Sequence, residues 1–183
     1  MSSPYSHRPW LHHYDYWVPE HLNYPERPLH EILDTAVVDV PDRPATSFFG
    51  ATLTFEEIKD RSDRLATALD DYGITKGDRV GIMLPNCPQY IIAAFAVLRH
   101  GAVVVNINPS YTAREVLNVV NDSGVRILIT LDALAPLALG VREQTAIERI
   151  ITLTPCQDVG SLIPKQSIRA AVTEQPIVPR IAH

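Results

Sequence analysis

The amino-acid sequence predicts an α/β chain built on a mostly parallel, doubly wound sheet with crossover helices. Three observations predict it. Apolar runs of strand length, Val80 to Leu84, Ala102 to Ile107, Ile127 to Leu131 and Ile150 to Leu153, recur about 22 to 25 residues apart, room for one crossover helix each time. The runs are continuous rather than alternating, the pattern of strands buried on both faces. The segments between them carry helical spacing, N-terminal capping residues and glycine stops. Connections of this kind are expected to be right-handed.

The elements follow in order. A helix is expected after Pro28, running to about Val40, where Pro41 and Pro44 end it. A strand pair fits Ala45 to Phe49 and Ala51 to Leu53, with Gly50 at the turn. Thr54-Phe-Glu-Glu57 is a capping box that opens the next helix, in which Phe55, Ile58, Leu65, Leu69 and Tyr72 form one apolar stripe and Gly73 supplies the left-handed stop. Pro88 to His100 reads as a helix apolar on most faces and closed by Gly101. A second capping box, Thr112-Ala-Arg-Glu115, opens a helix that Ser123-Gly124 closes. Asp132 to about Thr145 reads as a last helix, with Pro136 confined to its first turn.

Composition divides the chain into three zones. Residues 1–28 combine Tyr5, Trp10, Tyr14, Tyr16, Trp17 and Tyr24 with five prolines. Proline at that density forbids a long helix, and the aromatics argue against plain disorder. This zone is expected to be an extended arm whose rings dock on the same domain or on a second subunit. Residues 29–153 are the α/β unit. Residues 154–183 lose the rhythm and read as a Pro-rich tail or truncated continuation, with one short helix expected near Lys165 to Thr173.

At 183 residues, 46% hydrophobic and 20% charged, the chain suits one domain with a real core. Its net charge is -5, and its 13 Arg and 3 Lys form no basic run or face. Nucleic acid and anionic membrane surfaces are therefore poor partners. The longest unbroken apolar run, Tyr90 to Leu98, is far short of the roughly 20 residues of a transmembrane segment. Residues 1–28 lack a secretory signal, and Cys87 and Cys156 form no disulfide framework, so a reducing cytoplasm is expected.

Phosphate-binding loops of the Gly-x-Gly-x-x-Gly and Gly-Lys-Ser/Thr kinds are absent, as is a Gly-x-Ser-x-Gly nucleophile elbow. Without close-approach glycines a loop presents few amides to a phosphate, so nucleotide binding by this chain alone is not expected. His7, His12, His13 and His21 lie in the arm without helical spacing and read as surface histidines rather than metal ligands. His100 reads as a residue placed at the negative end of a helix. Glu56-Glu57 and Asp70-Asp71 are adjacent on helices, point in different directions, and make no acid/base pair. Cys87, in a Pro-Asn-Cys-Pro turn, has no visible His or Lys to activate its thiol. No residue is assigned a catalytic, cofactor-binding or metal-binding role.

One constellation is specific. Leu53-Thr-Phe-Glu-Glu-Ile58, Lys76-Gly-Asp-Arg-Val80, Leu84-Pro-Asn-Cys-Pro-Gln89, His100-Gly-Ala102 and Asn106-Ile-Asn-Pro-Ser-Tyr-Thr112 occur in this order. Together they resemble the front of the adenylate-forming superfamily, and the arm, with Trp10, Val18-Pro19, Tyr24-Pro25 and Pro28-Leu29, resembles bacterial medium- and long-chain fatty-acyl-CoA synthetases. The resemblance covers roughly Trp10 to Leu153. It implies the incomplete N-terminal subdomain of an AMP-forming ligase that joins a carboxylate to ATP, releases pyrophosphate and passes the acyl group to coenzyme A. ATP, Mg and coenzyme A are implied for the full-length enzyme and none for this chain, because the family's phosphate loop, adenine segment, ribose-binding Asp and mobile-domain Lys find no match here. The implied partners are the remainder of the ligase and, through the arm, a second copy. The alternative is a catalytically inactive remnant that binds a partner through its arm or an exposed sheet face.

Overall fold

The structure is a computed structural model and describes residues 7–153; the tail of 154–183, the helix expected near Lys165 to Thr173, and Cys156 lie outside the described residues. The first helix, α1 (Glu31–Asp39), begins two residues later than Pro28 suggests, because Pro28 to His30 first form a turn in which the Glu31 amide bonds the Pro28 carbonyl. A bulged antiparallel hairpin follows, β1 (Pro44–Phe48) and β2 (Ala51–Thr54). Phe49, expected at the end of β1, lies instead in the two-residue turn with Gly50, and both have positive φ, 46° and 82°.

Helix α2 (Phe55–Asp71) opens on the expected capping box: the Glu57 amide donates to Thr54 Oγ1 at 3.2 Å and the Thr54 amide to Glu57 Oε2 at 2.9 Å. Its stripe buries Ile58, Leu65 and Leu69, while Phe55 and Tyr72 are half-buried. Gly73 then turns the chain at φ 73°. Helix α4 (Ala113–Ser123) uses the same device, with the Thr112 amide 2.8 Å from Glu115 Oε2, and Gly124 closes it at φ 69°. Since each Thr satisfies an amide that the helix itself cannot, Thr54→Ala and Thr112→Ala are each expected to lose about 1 kcal/mol in urea unfolding.

The main sheet contains β3 (Arg79–Met83), β4 (Val103–Asn106), β5 (Ile127–Leu131) and β6 (Arg149–Leu153), all parallel, in the order β4-β3-β5-β6. The chain steps from β3 to β4 through α3 (Pro88–Arg99), then returns across β3 to β5 through α4. The segment before β6 is not the single helix read from Asp132 to Thr145: a 3-10 turn at Asp132–Leu134 precedes α5 (Ala135–Arg142), because Pro136 cannot donate a helical bond.

Alternation along each strand sends side chains to two cores. Val80, Ile82, Ile127, Ile129 and Ile151 pack against α2 and α3. Met83 and Leu128 pack against α4 and α5. The sheet is therefore covered on both faces, as the continuous apolar runs require. A smaller cluster of Leu33, Leu53 and Ile58 joins α1 and the hairpin to α2. The arm makes a short 3-10 turn at Pro9–His13 and does not seat its main rings on this domain: Tyr16 is 96% exposed and Trp17 66%, and the two rings meet each other edge-on at 5.0 Å.

Candidate functional site

In open parallel sheets, ligands sit outside the carboxyl ends of the strands where the direction of winding reverses. Here that point lies between β3 and β5. Thr130 is fully buried and donates its hydroxyl to the Met83 carbonyl at 3.2 Å, closing the space between the two strand ends. Beyond β3, Pro85 and Pro88 bracket the turn into α3, with Cys87 half-buried just before its first residue. Tyr90, one turn into α3, donates its hydroxyl to Asn106 Oδ1 at 2.8 Å and ties the helix to the end of β4. Asn108 Oδ1 accepts from the Ser110 amide at 2.9 Å, and the Tyr111 amide bonds the Asn108 carbonyl, so the chain turns sharply before Thr112. Asp132 accepts from the Ala133 amide at 2.7 Å. These polar groups are engaged in shaping loops. They form a rim, with no nucleophile set beside a base.

Two ion-pair clusters lie elsewhere, and neither was visible in the sequence. The first links three helices. Asp34 of α1 contacts Arg99 of α3 and lies 3.7 Å from Lys59 of α2, while Asp63 of α2 contacts Lys59 at 2.5 Å and Arg99 Nε at 2.7 Å. Beside it Asp63, Ala66, Thr67, Asp70, Arg99 and His100 line an open depression of about 370 Å³. His100 does not act only through the helix dipole: its Nε2 contacts the Ile74 carbonyl and fastens the end of α3 to the loop after α2.

The second cluster holds the amino-terminal edge of the sheet. Arg126 grips Glu148 with two bonds of 2.8 and 2.9 Å and reaches Asp78 at 2.6 Å. Asp78 also accepts from the Thr75 amide and hydroxyl, at 2.8 and 2.9 Å. The Thr75 bonds first, and Arg126 after them, hold the Asp78 carboxyl below its usual range; the Arg126 hydrogen bonds do the same for Glu148. A carboxylate with a lowered folded-state pKa stabilises the fold above its unfolded pKa and loses that contribution as pH falls through its folded value. Arg126→Met is therefore expected to be less stable than the native chain at pH 7, with the gap narrowing below roughly pH 4, where free carboxylates protonate. Urea titrations at pH 7 and pH 3 check this, and a constant gap contradicts it.

Among the described residues no three His, Cys, Asp or Glu side chains converge as a metal site. His7, His12, His13 and His21 are all exposed, and Arg8 donates to His21 Nε2 at 2.9 Å. The guanidinium groups of Arg99 and Arg126 are each flanked by two carboxylates, so neither offers its charge to a polyphosphate. No chemical step is assigned to either arginine. The adjacent carboxylates are likewise structural or solvated: Glu57 caps α2, and Glu56, Asp70 and Asp71 face solvent.

Comparison with known proteins agrees with this architecture. The family described as AMP-binding enzyme matches residues 33–179. A long-chain-fatty-acid–CoA ligase of Bacillus subtilis (strain 168) is 40% identical over 146 residues, covering 80% of this chain and 26% of that protein. A long-chain-fatty-acid–CoA ligase of Salmonella typhimurium is 39% identical over 145 residues, 78% of this chain and 26% of its own length. The crystal structure of a long-chain-fatty-acid-CoA ligase from Archaeoglobus fulgidus superimposes with a TM-score of 0.66 at 28% identity, over 72% of this chain and 28% of that one. The chain thus spans about a quarter of the length of the curated relatives it matches. With the family matched over most of its length, the chain belongs to the AMP-binding enzymes.

Proposed function

We propose that this chain is the N-terminal region of an ATP-dependent fatty-acid–CoA ligase, acting as scaffold rather than as a source of catalytic groups. In the whole enzyme a fatty-acid carboxylate attacks the α-phosphate of ATP and expels pyrophosphate; the thiol of coenzyme A then displaces AMP from the acyl adenylate. ATP, Mg and coenzyme A belong to that larger protein, whose remainder is the chain's first partner, and a cytoplasmic location goes with this role. The division into an arm of 1–28, an α/β unit of 29–153 and a tail of 154–183 is part of the same reading. The observation that carries it is the 40% identity to the Bacillus ligase across four-fifths of the chain.

The test is a chimera in which this chain replaces the matching quarter of the Bacillus ligase. Palmitate-dependent ATP–pyrophosphate exchange is the expected result, with little exchange on benzoate. A folded chimera that is silent with every fatty acid overturns the reading.

A second reading, a catalytically inactive partner-binding remnant, is supported by the arm, where Tyr16, Trp17 and Tyr24 stand in solvent. Exposed aromatics of this kind anchor interfaces, and exchange of the arm between two copies is the partner arrangement we favour. Sedimentation distinguishes the cases: a dimer lost when residues 1–28 are removed supports arm exchange, and a strict monomer at high concentration opposes it.

A further inference from the structure

Phe49 is placed where its own domain buries little of it. It occupies the first position of the two-residue turn closed by the Phe48–Ala51 pair, with φ 46° followed by Gly50 at 82°. A turn with two positive φ angles favours Asn-Gly, Asp-Gly or Gly-Gly, because a bulky side chain at the first position crowds its own backbone. The ring receives little burial in exchange: it is 85% exposed and meets the Phe48 ring edge-on at 4.5 Å. Strain and exposure at one residue, with little burial in return, are the marks of a contact made elsewhere.

We propose that the Phe48–Phe49 tip is a wedge that seats on the part of the ligase polypeptide outside these 183 residues, an inference that rests on the functional reading above. The size of the tip selects this partner. Two rings fall far short of the roughly 1,200 Å² that separate proteins bury in a stable complex. Ser47 and Thr52, exposed and paired across the hairpin, flank the rings with hydroxyls rather than the basic groups that hold a lipid surface. A contact this small suffices only when its partner is tethered, since one polypeptide raises the effective concentration to the millimolar range. The relatives supply that tether, being about four times longer than their match to this chain.

Phe49→Asn tests the wedge because its effect should change sign with context. In the isolated chain the variant relieves the turn and should raise the melting temperature by about 2 °C. In the chimera with the Bacillus ligase it should lower the melting temperature instead, and Phe49→Gly should behave alike. A rise in both contexts overturns the proposal, as does a fall in the isolated chain, which would give the ring an intramolecular role. Binding of the isolated chain to phosphatidylcholine vesicles containing oleate, lost in Phe49→Asn, would assign the tip to a lipid surface and also overturn it. So would a dimer of the isolated chain lost in the same variant. Palmitate-dependent exchange by the chimera is read separately. Its absence, with the sign change intact, counts against the fatty-acid reading and leaves the wedge standing.

Discussion

Leu69→Ala should lower the unfolding free energy of the chain by about 3 kcal/mol, within the roughly 2–5 kcal/mol span of buried leucine truncations. Leu69 is fully buried near the end of α2, in the core shared with α3 and the sheet. The same core includes Ala66, Ala93 and Ala96, which carry no side-chain atom beyond Cβ to move into the space left, so the cavity closes only in part and the atoms around it lose contacts. A fall in denaturant midpoint with an unchanged m-value is the expected signature. A loss below about 1 kcal/mol would mean that the α2–α3 seam is outside the cooperative core.

Gly81→Val should be about as damaging, for the opposite reason. Gly81 lies in the middle of β3, paired with Val105 of β4 and Leu128 of β5. A Cβ placed there meets Leu128 Cδ1 at 3.0 Å, Val125 Cγ1 at 3.1 Å and Ile107 Cδ1 at 3.3 Å. All three neighbours are buried and have little freedom to retreat. Overpacking of this kind costs about 3 kcal/mol, at the upper end of its usual range, because the two γ-methyls of valine extend beyond a Cβ that is already crowded. Gly81→Ala, which adds the Cβ alone, should lose clearly less. Equal stability of Gly81→Val and the native chain in thermal unfolding would contradict the close approach of β3 to β5 on this face.

Much of the fold was legible because the signals were local. The two capping boxes, the left-handed glycines at 73, 101 and 124, and the apolar strand runs each involve residues a few positions apart. Position 49 was hidden by its neighbour. Gly50 announced a turn, but the two-residue turn formed here has positive φ at both positions, and a phenylalanine gives no sign of adopting it. Strand order was not legible, since nothing in β4 or β5 says that β3 will lie between them. The ion-pair clusters were out of reach for the same reason: Arg99 and Asp34 are 65 positions apart, and Arg126 and Asp78 are 48. Only Lys59 and Asp63, one helical turn apart, carried a local signal. The sequence named no catalytic residue, and the motifs it did share with the adenylate-forming enzymes, such as Leu84-Pro85-Asn86-Cys87-Pro88 and Asn106 to Thr112, proved to shape the ends of strands and the starts of helices.

We propose that this polypeptide supports a ligase without performing its chemistry. Fatty-acid-dependent ATP–pyrophosphate exchange by the purified 183-residue chain, assayed with Mg and palmitate, tests that most directly. The expected result is exchange indistinguishable from a protein-free control. Exchange that depends on both palmitate and the chain would contradict it and would place an adenylation site within these residues.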